Sequence, residues 1–324
     1  MNAEPGAVPG GCRGTQGNGF RHEAWLYEGA GEFADGAAAF VRDGRERDEA
    51  VMVATTPWNL RALRAELGAD AGDVALVDMT RLGRNPGAIL SAWGEFAVRE
   101  AGLARAARGI GEPVWHGRSE VELEECARHE ALINSAFSRD VDFRLLCPYD
   151  MEALDEVILE AVDAAHPDVY GTPQDRPRGN FDPALADRAL EGELPPPPAG
   201  AEVLRFDGQR LSELRGFARG AAGRLGLPKA RAHDVALAVN ELAANEIVHG
   251  AGHGTLTVWA EGDCVICQVE GEGRLGDPLV GRATPDPKSR GGRGVWLVHQ
   301  VCDLVQLRSA PTGTVARIAV GLRG

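Results

Sequence analysis

Lysine is nearly missing from this sequence of 324 residues: of its 34 basic residues only Lys229 and Lys288 are lysines. No phosphate loop of the GxxxxGK[ST] type can therefore be written anywhere, which excludes one large class of ATPases. Long apolar runs are missing too. No segment approaches the roughly 20 apolar residues of a membrane span, and the first residues lack the apolar stretch of a signal peptide, so a soluble cytoplasmic protein is expected. Positive charge is in deficit, with 34 basic against 48 acidic residues and a formal net charge of -14. A phosphate backbone is accordingly not the expected main partner, although a local basic patch is compatible with this balance. The six cysteines are scattered, and a chain of this length buries a core without staples, so buried thiols are expected rather than disulfides. Cys264 and Cys267 form a CxxC, but they lie in the alternating run Asp263-Cys-Val-Ile-Cys-Gln-Val269. An offset of three there puts them on opposite faces of a strand, which argues against a shared redox or metal role.

The length allows two domains, each with its own core. Over 20–170 short apolar runs alternate with helical patterns. The runs at 51–55, 74–78 and 143–147 read as buried strands of a parallel sheet. Helices are expected over 31–42, 58–67, 87–108, 120–137 and 151–164, covering both faces of that sheet. From 171 to 200 the texture changes to Pro173, Pro177, Pro183 and a run of prolines at 195–198. This reads as an interdomain linker whose stiff polyproline serves as a spacer, or alternatively as a ligand for an aromatic groove. Residues 201–324 read as α+β, with helices against one mostly antiparallel sheet. Strands are expected at 202–206, 255–260, 265–269, 304–308 and 314–320, and helices at 211–225, 228–248 and 294–301, Pro228 suiting a helix start.

The residues with chemical potential concentrate in this second part. In Asn240-Glu-Leu-Ala-Ala-Asn-Glu-Ile-Val-His-Gly250, Glu241, Asn245 and His249 recur every four residues and share one helix face. Such a stripe is also what an ordinary solvated face looks like. Downstream, Arg290-Gly-Gly-Arg-Gly-Val-Trp-Leu-Val298 sets Gly291, Gly292 and Gly294 immediately before an apolar helical run. Backbone N–H groups at a helix start can then approach an anion, phosphate being the natural one, though flexible turns use the same residues.

The ordered combination of Glu-x3-Asn on a helix, a strand running into Gly271-Glu-Gly273, the sequence GGRGxWLV, and Gly313-Thr314 on the last strand resembles the GHKL (Bergerat) ATP-binding fold over residues 204–321. The branch it most resembles is the anti-sigma-factor serine kinases. That resemblance implies ATP and Mg²⁺ as cofactors, with Asn245 as metal ligand and Glu241 as general base. Gly291, Gly292 and Gly294 would wrap the phosphates, and Gly273 and Thr314 would lie at the adenine end, with His249 beside the site. One position departs from the pattern. Where the family has the aspartate of its D-x-G motif, which accepts a hydrogen bond from the adenine amino group, this chain has Gly271.

The first part, 20–170, resembles the MEDS sensory domain, a RecA-like sheet without its phosphate loop. The matching features are His22-Glu-Ala-Trp-Leu-Tyr27, the helix Glu125-Cys-Ala-Arg-His-Glu-Ala-Leu-Ile-Asn134, and Leu146-Cys-Pro-Tyr-Asp150 followed by a helix ending at His166-Pro167. Cys126 and His129, three apart on that helix with Glu130 beside them, form a candidate metal set together with His22 or His166. The plainer account makes Cys126 a core residue and the charges a wet helix face. Trp58, Trp93 and Trp115 are candidates for an apolar pocket, with core packing as the simpler use.

Together these resemblances imply a cytoplasmic stress or development regulator. Its first domain senses a signal; its second phosphorylates a serine of an anti-sigma-factor antagonist or sequesters a sigma factor. No direct nucleic-acid or membrane contact is expected, and a homodimer is compatible with the pattern. The alternative is a partner-switching protein that binds sigma factor or antagonist without ATP turnover, Gly271 being the trace of that loss. A sensor histidine kinase is disfavoured, because no helical hairpin carrying a phosphoacceptor histidine precedes Leu204.

Overall fold

The computed structural model describes residues 19–138, 140–171, 180–286 and 292–322, and the chain divides into two compact units between Ala186 and Asp187. The first unit runs β1 (Arg21–Tyr27), α1 (Gly29–Glu46), β2 (Ala50–Thr55), α2 (Pro57–Leu67), β3 (Ala75–Asp78), α3 (Met79–Leu82), α4 (Pro86–Gly102), β4 (Ala107–Gly111), α5 (Glu120–Ala136), β5 (Phe143–Asp150), α6 (Glu156–Ala165) and β6 (Asp168–Val169). The six strands form one sheet in the order β3-β2-β4-β5-β1-β6, and every pairing is parallel. Parallel strands joined by helical crossovers are covered on both faces, and β2 and β4 are accordingly buried along their whole length.

The strand β4 was not expected; its residues fell within or just beyond a helix predicted over 87–108. Ala107-Arg-Gly-Ile-Gly111 has a single β-branched residue, so it carries little strand character. Packing explains its composition. A Cβ on Gly109 would lie 2.7 Å from the Trp93 ring, and one on Gly111 would lie 2.9 Å from it, so the glycines give the indole of α4 its seat on the sheet. Trp93 is thereby core, Trp58 is exposed, and the Arg118 guanidinium stacks on the Trp115 ring at 3.6 Å. Helix α5 begins on a complete capping box between Ser119 and Glu122, which satisfies orphan donors of its first turn.

The second unit runs β7 (Glu202–Asp207), α7 (Leu211–Arg224), α8 (Lys229–His249), β8 (His253–Glu261), β9 (Cys264–Gly271), α9 (Arg293–Val301), β10 (Leu304–Ala310) and β11 (Gly313–Gly321). Its sheet is antiparallel throughout, ordered β10-β11-β9-β8-β7. Period-two alternation divides its faces. Val258, Val265, Cys267, Val269, Ile318 and Val320 share a core with Leu214, Val235, Val239 and Leu242 of α7 and α8. On the other face Arg317 Nε donates to Gln268 Oε1 at 2.7 Å, and its guanidinium lies over Trp259. Cys267 is in the core, Cys264 is half-buried, and neither is in a disulfide.

Part of the segment expected as a linker is packed. The turn at Pro183–Leu185 lies against α5 and α6, whereas Leu190 enters the core of the second unit and its carbonyl accepts from Ser309 N at 2.9 Å. The proline run is tied down as well, Arg317 Nη2 donating to the carbonyl of Pro195. Pro173 and Pro177 lie outside the described residues. Among the described residues no helix is long and apolar enough to cross a membrane.

Candidate functional site

Pairing of β9 with β11 sets Gly271 opposite Thr314, and α8 packs over β9 and against α9. These elements enclose a cavity of about 380 Å³, a volume within the range of small-molecule sites. Asn245 and His249 of α8, Gly273 after β9, Gly292 and Gly294 at the start of α9, and Thr314 of β11 all line it. Glu241 stands at the α9 side: a Cβ on Gly294 would fall 2.8 Å from Glu241 Oε2 and 3.7 Å from Asn245 Nδ2. Glycine at 294 thus leaves the Glu241 carboxylate room to lie close against the helix start. Gly292 caps α9 in the left-handed region at φ 83°, a conformation that favours glycine. Gly291 lies outside the described residues.

At the far end the cavity holds a residue that helical spacing in the sequence does not single out. Glu246, one position after Asn245, is buried, and its Oε1 accepts from Gly273 N at 3.0 Å and from Ala251 N at 3.3 Å. It fills the space beside Gly271: a Cβ there would lie 1.9 Å from Glu246 Cδ, and a Cβ on Gly250 would lie 2.0 Å from Oε1. From the opposite side Thr314 Oγ1 donates to the Gly273 carbonyl at 2.7 Å. Ser309 Oγ, 3.3 Å from that hydroxyl, accepts from Leu275 N at 3.0 Å. Gly273 is thus clamped between a carboxylate on its N–H and a hydroxyl on its carbonyl, and among the described residues Glu246 Oε2 makes no hydrogen bond. A carboxylate oxygen beside a fixed backbone turn can accept from an amino group and orient a planar, hydrogen-bonding ligand.

The chemistry of the cavity therefore separates into a glycine-lined end at Asn245 and Gly294, with Glu241 behind Gly294 but not lining the cavity, and a carboxylate end at Glu246. The first suits a hard cation with phosphate, because backbone N–H groups at a glycine-lined helix start and side-chain oxygens serve those partners. In the first unit Cys126 does not join a ligand set: its thiol donates to the Pro113 carbonyl at 3.2 Å, and burial pushes its pKa up to about 12.

Residues 21–167 match the family described as MEDS, the MEthanogen/methylotroph, DcmR Sensory domain. Residues 204–320 match the histidine kinase-like ATPase domain. The chain thus joins a sensory domain to a GHKL-type ATPase domain. No curated protein matches it. Among solved structures it is similar to the RsbU and RsbW domains of Rv1364c from Mycobacterium tuberculosis, at 15% identity and a TM-score of 0.28 over 37% of this chain and 32% of that one. It is similar also to the histidine kinase AdeS of Acinetobacter baumannii, at 16% identity and a TM-score of 0.24 over 38% of this chain and 68% of that one. The chain spans about a third of the length of the Rv1364c structure, 32%.

Proposed function

We propose that the second unit binds ATP with Mg²⁺ in the cavity between α8, β9 and β11 and phosphorylates a serine of an anti-sigma-factor antagonist, or sequesters the sigma factor itself. The first unit acts as its sensory domain. The observation that carries this reading is the Glu246 carboxylate held on Gly273 N at 3.0 Å beside Gly271. It supplies from the helix the acceptor for an adenine amino group that the strand lacks. The bound nucleotide would supply the phosphoryl group, and the metal would neutralise its charge.

In this reading Asn245 offers a side-chain oxygen to the metal, and Gly292 and Gly294, with Gly291 from the sequence pattern, leave backbone N–H groups free for the phosphates. Glu241, at the same end, orients the serine hydroxyl and takes its proton. Thr314 and Gly273 hold the adenine end. The alternative, a partner-switching protein without turnover, draws its support from the missing carboxylate at Gly271; Glu246 in the same space favours the first reading. Titration of the full chain with ATP and Mg²⁺, followed by phosphate transfer to candidate antagonists, tests the proposal. Binding with transfer that disappears in Glu241→Ala is expected, and no detectable binding at millimolar ATP sinks it.

A further inference from the structure

Away from the cavity, four buried side chains of the first unit converge on one point: His22 of β1, Glu130 of α5, Cys147 of β5 and His166, which follows α6. One ligand atom from each lies within 4.8 Å of all the others. His22 Nε2 is 3.0 Å from Glu130 Oε2 and 3.3 Å from Cys147 Sγ, and His166 Nε2 is 3.2 Å from the same Glu130 oxygen. Tetrahedral zinc with these donor types has ligand-to-ligand edges of about 3.3–3.6 Å, from metal–ligand bonds of about 2.0–2.3 Å. All four residues are at most 3% exposed.

The hydrogen bonds behind the cluster decide which atoms face it. Asn134 Nδ2 donates to the Ala165 carbonyl at 2.8 Å, which turns Asn134 Oδ1 toward His22 Nδ1 at 3.1 Å. His22 Nδ1 must therefore be the protonated nitrogen. His166 Nδ1 lies 2.8 Å from the Val162 carbonyl, an acceptor only, so it too carries its proton there. The Nε2 atoms then face the cluster: that of His22 points to Glu130 Oε2 and Cys147 Sγ, and that of His166 to the same Glu130 oxygen. Among the described residues Glu130 Oε1 makes no hydrogen bond, and the ring of Tyr149 packs edge-on against His166 at 5.5 Å. Backbone or amide partners on the second nitrogen of each histidine are how metal-ligating imidazoles are held in place.

We propose that His22, Glu130, Cys147 and His166 form a closed binding site for one divalent transition metal ion, zinc by ligand type. Two imidazoles, a thiolate and a carboxylate make a borderline-soft, four-coordinate set with no position left for substrate. Loading exchanges the Cys147 thiol proton for the metal, so one proton leaves as the ion enters. The ion ties β1, β5, α5 and the end of α6 together. The depth of the ligands makes entry a step of folding rather than of the folded surface.

The test uses the full chain produced in zinc-supplemented medium and, separately, in cobalt-supplemented medium. One equivalent of metal per chain is expected after exhaustive dialysis. The cobalt form should show tetrahedral visible bands and a near-ultraviolet thiolate-to-cobalt charge-transfer band. Cys147→Ser should abolish the charge-transfer band, and Asn134→Ala should lower affinity about ten- to a hundredfold through loss of the support behind His22. Should a ligand variant fail to fold, the cobalt spectrum of the unaltered chain still decides. A folded chain, by circular dichroism, that retains no metal and gives no thiolate band with cobalt overturns the proposal and leaves a cluster held by shared protons.

Discussion

Gly271 and Glu246 share one space: a Cβ on Gly271 would lie 1.9 Å from Glu246 Cδ. The strand position carries no side chain, and a helix carboxylate stands where one would extend. If the two are exchangeable, Glu246→Ala weakens ATP binding by about ten- to a hundredfold, the cost of one buried acceptor. Gly271→Asp alone also weakens it, because two carboxylates then compete for the space. The double variant Gly271→Asp with Glu246→Ala should recover most of the affinity. Calorimetric titration reads all three, and wild-type affinity in Glu246→Ala is the outcome that refutes the exchange.

Glu241 lies beside Gly294 at the start of α9, 2.8 Å from where a Gly294 Cβ would be. The base role proposed for it predicts a split between binding and chemistry. Glu241→Gln keeps the shape and the contact with α9, so ATP affinity should change by less than about threefold while transfer to the antagonist falls by about 10²–10⁴, the usual range for a general base. Equal losses in both would make Glu241 a binding residue instead.

How much of this was legible depends on whether the deciding partners lie near in sequence. The stripe of Glu241, Asn245 and His249 is read from helical period alone, and β2 from its run of Val51, Met52, Val53 and Ala54. Glu246 was hidden because its partner Gly273 lies 27 residues away and its own position is one step off the polar stripe. The buried cluster was only half visible for the same reason. Spacing on one helix suggested Cys126 and His129 with Glu130, joined by His22 or His166, whereas the convergent set replaces the first two with Cys147, His22 meeting Glu130 and Cys147 across separations of 108 and 125 residues. Pairing between strands decides that set, and a sequence does not print it.

The seat of Trp93 on β4 gives a test of the first unit's packing. Gly109→Ala puts a methyl 2.7 Å from the indole and 3.1 Å from Leu145 Cδ1, in a core that has no slack. The expected loss is about 1–3 kcal/mol of unfolding free energy, read by denaturant titration. Adding Trp93→Leu opens the space and should make Gly109→Ala nearly neutral relative to Trp93→Leu alone. If the loss persists undiminished in that background, backbone geometry and not the indole is what requires glycine.

His299 of α9 makes the second unit acid-sensitive. The residue is buried, and burial, helped by the positive charge of Arg282, holds its pKa well below the usual 6.5. A histidine depressed in the folded state is neutral there while the unfolded chain takes up a proton, so protonation favours unfolding. The stability it permits is complete above the unfolded value near 6.5 and is lost as pH falls below it, by up to about 1.4 kcal/mol per pH unit. Carboxylates have hardly begun to titrate between pH 6.5 and 5, so His299 dominates that window. Hydrogen exchange of the β9 and β11 amides on the full chain reads the opening of this unit alone. Protection should decline over the window in the unaltered protein and stay nearly level in His299→Gln, which keeps a polar side chain but binds no proton. Parallel declines in both would assign the acid sensitivity to other groups.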